Sequence, residues 1–158
     1  MSSSEASERA EVANLMDNYF SLFSQQRWDE WIDLWADDGI LEFPYAPPGR
    51  RSCYVGKTEI LAYMKPLAGR IKVEEVKYRN VHPMFDPKTA CMELAFKAHI
   101  ASSGAPLNQK YVFFLETKAG RIWRWREYWN PIISMDANGG REAWTAAFGS
   151  PERDGAVS

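Results

Sequence analysis

Two cysteines and two histidines are all that this 158-residue chain has of those metal- and redox-active side chains. Cys53 and Cys91 are too few for a disulfide framework and too isolated for zinc-ligand spacing, so they read as reduced thiols and no protein-held metal is expected. A Gly-x-Gly-x-x-Gly fingerprint, a Walker loop and a Gly-x-Ser-x-Gly elbow are also missing, which removes the usual sequence support for nucleotide cofactors and serine-hydrolase chemistry. No cofactor is therefore expected. Nor is there an excess of positive charge: 19 Lys and Arg against 21 Asp and Glu leave a net charge of -2, and nucleic acid is not an expected partner. No apolar run exceeds the length of Tyr111 to Leu115, far short of the roughly 18 to 20 residues that cross a bilayer, and the polar, acidic N-terminus has no signal-peptide core. These features lead us to expect a soluble, cytoplasmic protein with no membrane partner.

Aromatic residues are plentiful. Seven Trp, seven Tyr and eight Phe make up 14% of the chain, more than a minimal core requires, and suggest that flat rings serve a ligand as well as the fold. The length suits one domain, expected over residues 1–149, followed by a flexible tail over 150–158. Val12, Leu15, Met16, Tyr19, Phe20 and Phe23 recur at three and four residues and predict an amphipathic helix from Glu5 to Ser24. Trp28, Trp31, Ile32 and Trp35 continue that period into a short helix ending near Ala36, with Asp37-Asp38-Gly39 as the turn after it. A strand is expected at Ile40 to Tyr45, a Pro-rich loop at Ala46 to Arg51 and a helix at Lys57 to Ala68. Strand-like stretches follow at Val73 to His82, Cys91 to Ala101, Gln109 to Thr117 and Arg121 to Asn130, the last two joined as a hairpin through Lys118-Ala119-Gly120. Beyond Pro131 the pattern is less regular, with a short docking helix at Trp144 to Phe148. Helices first and an antiparallel meander after them is the pattern of an α+β domain in which a curved sheet wraps N-terminal helices.

The order of a long helix, a short Trp-rich helix, Ala36-Asp37-Asp38-Gly39, strand, helix and four strands ending in Trp125-Arg126-Glu127-Tyr128-Trp129-Asn130-Pro131 resembles the nuclear transport factor 2-like superfamily, and within it the SnoaL-like branch. The resemblance covers about Glu8 to Pro131. It implies a cone-shaped, mainly antiparallel α+β barrel with a deep pocket between sheet and helices, and a homodimer paired through its sheets. That superfamily holds ketosteroid isomerases, polyketide cyclases, scytalone dehydratases, epoxide hydrolases, phenazine-biosynthesis condensing proteins and non-catalytic binders, so the fold alone selects no activity. By this likeness Tyr19 takes the place of the isomerases' phenolic donor. Their catalytic base would fall at Phe43 and their second acid near Val112, so steroid isomerisation by that mechanism is not expected. Glu127 corresponds to the acidic residue of the phenazine-biosynthesis branch, and His82 to a pocket histidine of scytalone dehydratase.

Strand alternation sets Trp123, Trp125, Glu127 and Trp129 on one face and Arg124, Arg126 and Tyr128 on the other. A carboxyl among indoles on a concave face loses water, which raises its pKa toward that of a general acid near neutral pH, although a structural ion pair with an Arg or Lys would explain it as well. The expected catalytic set is Glu127 as acid/base, His82 as a second proton carrier and Tyr19 as hydroxyl donor, with a substrate wall of Trp123, Trp125, Trp129, Trp35, Phe43, Tyr45, Val112 and Phe114. Arg50 and Arg51 read as a solvated loop pair, a carboxylate-binding fork being the alternative. Together these residues suggest a cofactor-independent isomerase, cyclase or dehydratase of secondary metabolism acting on an apolar polycyclic or aromatic small molecule. A non-catalytic binding module and an epoxide hydrolase are the alternatives. The Arg and Tyr side chains of the outer face fit a dimer interface.

Overall fold

The long helix forms because its apolar residues fall on one side. In the computed structural model, which describes residues 3–148 and only the backbone of Tyr78, Ala147 and Phe148, α1 (Ser3–Ser24) buries Val12, Met16 and Tyr19. The tail expected over 150–158 lies outside the described residues. A second helix, α2 (Trp28–Asp33), buries Trp31, and a third, α3 (Lys57–Ala68), buries Ile60 and Met64. Six strands make one curved sheet: β1 (Trp35–Glu42), β2 (Cys53–Val55), β3 (Ile71–Pro83), β4 (Thr89–Ile100), β5 (Gln109–Lys118) and β6 (Arg121–Trp129), in the order β2-β1-β6-β5-β4-β3. Every neighbouring pair is antiparallel except β1 with β6. Two further helices close the described chain, α4 (Pro131–Ala137) and α5 (Arg141–Phe148). This is the α+β architecture expected from the sequence, with helices packed on the concave face of the sheet.

Several local expectations are corrected. The Trp-rich helix ends at Asp33 rather than near Ala36, and Trp35 already belongs to β1. Asp37-Asp38-Gly39 forms no helix-ending turn. Between the pairs Trp35↔Ile122 and Ile40↔Arg124 the β1 chain takes five steps where β6 takes two, and the surplus bulges outward with Asp37 and Asp38 exposed. Strand β2 was not anticipated, being only three residues long, and α4 was read as irregular chain. Its signal was nevertheless present, because the Asn130 side chain accepts the Ile132 amide at 3.0 Å and Pro131 occupies the first turn.

The core is a slab of rings. Tyr19 stacks on Trp125 with centroids 4.2 Å apart and 11° between planes, and it touches Trp31 at 5.1 Å and Trp35 at 6.4 Å. Trp31, Trp35 and Trp125 have no exposed surface at all. Complete burial of an apolar side chain of this size stabilises the fold by roughly 1.5–3 kcal/mol.

The bulge in β1 yields a test. A Cβ on Gly39 would lie 2.9 Å from the Ala36 carbonyl oxygen and 3.0 Å from Trp35 Cε3, and the backbone oxygen has little room to yield. Gly39→Ala should cost about 1–3 kcal/mol in urea denaturation. Unchanged stability would show that the bulge relaxes.

Candidate functional site

A turn and a strand end build the site. In the Pro47-Pro48-Gly49-Arg50 turn the Arg50 amide donates to the Pro47 carbonyl at 3.1 Å, and Gly49 has φ +84°. Pro second and a positive-φ Gly third is the type II pattern. The turn sends Arg50 inward, where the residue is only 6% exposed. This overturns the solvated reading of Arg50. Its guanidinium carbon lies 5.1 Å from the ring centres of Trp129 and Trp144, 5.3 Å from Phe43 and 5.5 Å from Tyr63, and it donates to the Tyr63 hydroxyl. Arg51 stays nearer the surface, paired with Glu59 and set over Tyr54 at 4.5 Å.

Facing Arg50 across a cavity of about 50 Å³ is Glu127, with Tyr111 and Trp129 beside it on the sheet side and Ser134 and Asn138 from α4. Glu127 is half-buried, its remaining exposure being to the cavity that it lines. Burial pushes its carboxyl up to about 8 against the smaller downward pull of Arg50. The same burial, reinforced by the charge of Glu127, raises Tyr19 and Tyr111 well above the ordinary phenol value, so both remain protonated hydroxyls. Burial pulls Arg50 down from its ordinary value, opposed by Tyr54, Glu127 and Tyr111. A guanidinium stays charged nonetheless. The cavity thus combines a carboxylic acid that titrates near neutrality, a phenol donor and a fixed cation. Among the described residues no group of three or more His, Cys, Asp or Glu gathers to hold a metal ion.

The structure brings together only part of the expected set. Glu127, Phe43 and Trp129 line the cavity. Trp125 and Tyr19 lie behind it as the core stack, and Trp35 packs on Trp31 at 5.8 Å rather than on the cavity. His82 is placed on the outer face, where its Nε2 meets exposed Glu93 at 3.0 Å, because alternation along β4 turns Ala90, Met92 and Leu94 inward and Cys91 and Glu93 outward. Val112 and Phe114 face outward for the same reason, between inward Phe113 and Leu115, and Phe114 packs on Tyr128 at 5.7 Å. Tyr45 lies beyond the end of β1, is 64% exposed and packs edge-on against Tyr128 at 5.1 Å. Trp123 leaves the concave face because the β5–β6 register passes from Glu116↔Arg124 to Thr117↔Ile122. That makes Trp123 the surplus residue, set against Lys118 at 5.8 Å. Tyr63, Tyr111, Ser134 and Asn138 were not among the expected site residues, and Arg50 was weighed only as the alternative to a solvated charge.

With this geometry in view, comparisons with known proteins are informative. The family model described as SnoaL-like domain matches residues 16–125. A PhzA/B-like protein from Pseudomonas aeruginosa, PA3332, is 36% identical over 115 residues, covering 72% of this chain and 79% of the relative. A crystal structure from Bacillus subtilis, named as a candidate isomerase, superposes with a TM-score of 0.79 at 30% identity, over 85% of this chain and 96% of the other. A candidate polyketide cyclase from Xanthomonas campestris pv. campestris gives 0.70 at 14% identity over 82% and 98%, which shows the fold alone.

Titration of Glu127 should be visible in folding. Its folded carboxyl sits at about 8 against an ordinary 4.5, so the stability linked to its proton is full below 4.5 and is lost as pH rises through about 8. Urea denaturation at pH values from about 4.5 to above 8 should show wild type losing stability across that window relative to Glu127→Gln. Parallel pH profiles would mean that Glu127 ionises normally.

Proposed function

Because the chain belongs to the SnoaL-like domain family, we propose that it is a cofactor-independent isomerase or cyclase of secondary metabolism working by proton transfer from Glu127. The observation that carries this reading is a carboxylic acid held protonated to about pH 8 inside a cavity that also contains a phenol donor. Tyr111 donates a hydrogen bond to a substrate carbonyl oxygen. Glu127 delivers its proton where negative charge develops, then recovers one from the adjacent carbon and returns to its starting form. The names of the relatives, a PhzA/B-like protein, a candidate isomerase and a candidate polyketide cyclase, agree with this class. Epoxide hydrolysis would need a second carboxyl group to activate water, and Glu127 is the one acid among the described residues that line the cavity. His82 has no part in this reading, since it lies on the outer face with Glu93.

The same proposal includes a homodimer formed through the outer face of the sheet. There Tyr45, Val112, Tyr128 and Lys110 border a groove of about 450 Å³, flanked by the Arg126–Glu116 pair at 2.9 Å. Mixed Tyr and Arg surfaces of this kind are enriched at interfaces. Light scattering at micromolar concentration should give twice the chain mass, and Tyr128→Glu should halve it. A wild-type monomer removes the dimer.

For the chemistry, enolisable carbonyl compounds incubated in D2O should show isomerisation or label uptake by mass spectrometry. Glu127→Gln should lower kcat by roughly 100- to 10,000-fold with ligand affinity largely kept. The wild-type rate should fall as pH rises through about 8, where Glu127 ionises. His82→Ala and Arg126→Lys should stay within about threefold. A Glu127→Gln rate within that same margin would make the residue a structural charge partner.

A further inference from the structure

Two side chains of the C-terminal segment have only one end engaged by the fold. Ser134 of α4 and Asn138, directly after that helix, stand four residues apart on one side of it, and both line the cavity that Glu127 and Tyr111 border. Ser134 Oγ accepts from Trp144 Nε1 at 3.0 Å, so its own proton is turned away from that indole. The Asn138 amide nitrogen donates to the Ser134 carbonyl at 2.7 Å, which orients the amide with its oxygen on the other side. Neither the Ser134 hydroxyl proton nor Asn138 Oδ1 meets a hydrogen-bond partner among the described residues. The sealed, unpartnered polar atoms of those residues do not include Asn138 Oδ1, so this oxygen borders accessible space. One donor and one acceptor are left over. The helix that presents them is held from the sheet: Gln109, 2% exposed, donates to the Asn130 carbonyl at 2.8 Å and accepts the Asn130 amide at 3.3 Å, and Asn130 caps α4 through the Ile132 amide. Groups fixed in this way need no ordering by a ligand.

We propose that Ser134 and Asn138 select a substrate that carries a hydroxyl group, Ser134 donating to the oxygen of that group and Asn138 Oδ1 accepting its proton. A hydroxyl accepts and donates at a single atom, which is what one donor beside one acceptor requires. A carbonyl or ether oxygen satisfies Ser134 and leaves Asn138 unmet, and a methyl group leaves both unmet, at the cost of stripping each of water without return. An amide offers both functions only across two atoms, a wider group for a cavity of about 50 Å³. This inference rests on the proton-transfer reading only for the other end of the ligand, where Tyr111 and Glu127 meet a carbonyl. Under that reading the substrate class becomes carbonyl compounds that also bear a hydroxyl group.

Hydroxyacetone and 2-butanone, which differ by a methyl group in place of the hydroxyl, test it in the full-length protein. Ligand-observed NMR titration gives the affinities, and the thermal midpoint gives a second readout. We expect saturable binding of hydroxyacetone at least about tenfold tighter than of 2-butanone, the sum of two neutral hydrogen bonds. Ser134→Ala and Asn138→Leu should each cut that preference by about threefold or more, and Ser134→Thr, which keeps the hydroxyl, should retain it. Glu127→Gln should also retain it, because both ligands present the same carbonyl and its contribution cancels in the ratio. Should either truncation not fold, the other truncation and the wild-type comparison decide. Absence of saturable hydroxyacetone binding, equal affinity for the two ligands, or an undiminished preference in either folded truncation overturns the proposal. Hydroxyl preference without turnover upholds it while removing the catalytic reading. Glu127-dependent turnover of carbonyl compounds without that preference does the reverse.

Discussion

The stack of Tyr19 on Trp125 joins the helical layer to the sheet, and the remaining packing is arranged around it. Tyr19 belongs to the buried stripe of α1, and Trp125 to the inward row of β6. Around the pair lie Trp31 from α2, Trp35 from β1, and Phe113 from β5 at 5.3 Å from Trp125. Offset and tilted rings of this size exclude water over a wide area. The consequence is chemical as well as mechanical. Trp125 stands two residues before Glu127 on the same strand face, so the slab that holds the layers together also dries one side of the carboxyl group.

Drying and charge compete at that carboxyl. Arg50 across the cavity favours the ionised form, and burial favours the neutral one. Burial prevails, leaving Glu127 near 8 rather than near 4.5. Had the arginine prevailed, the pair would be a structural ion pair with no proton to give at neutral pH. The balance leaves instead a protonated acid and a cation in one small space. Tyr111, kept as a phenol by the same burial, supplies a donor that does not titrate in that range.

The legibility of these features in the sequence followed the range of the interaction behind each. Periodicity located α1 and α3, and strand alternation placed Glu127 and Trp129 inward, because both patterns depend on neighbours a few residues apart. Alternation failed where the ladder slips: one surplus residue in β6 removed Trp123 from the concave face, and the β1 bulge turned an apparent helix stop into strand. His82 and Val112 were carried to the pocket by resemblance, whereas their strands direct them outward. Arg50 was read as solvated because a charged residue in a Pro-rich loop ordinarily is. Its burial depends on α5, far along the chain, whose Trp144 closes over it. The local cue was the Pro-Pro-Gly turn, which shows where the chain reverses but not what lies on the other side.

The C-terminal helices add to the same cavity. Trp144, only 1% exposed, rests 6.3 Å from Trp129, and Ser134 of α4 and Asn138 directly after it belong to the cavity wall. The cavity is therefore bounded by the sheet and α3 together with this C-terminal segment. Between those helices stand Gly139 and Gly140, with φ of +87° and +97°, values that an L side chain rarely adopts. The chain reverses there so that Trp144 can donate to Ser134 and face Arg50 at once. The chemistry of the cavity is set by Glu127 and Arg50, one able to give a proton and one unable to lose its charge.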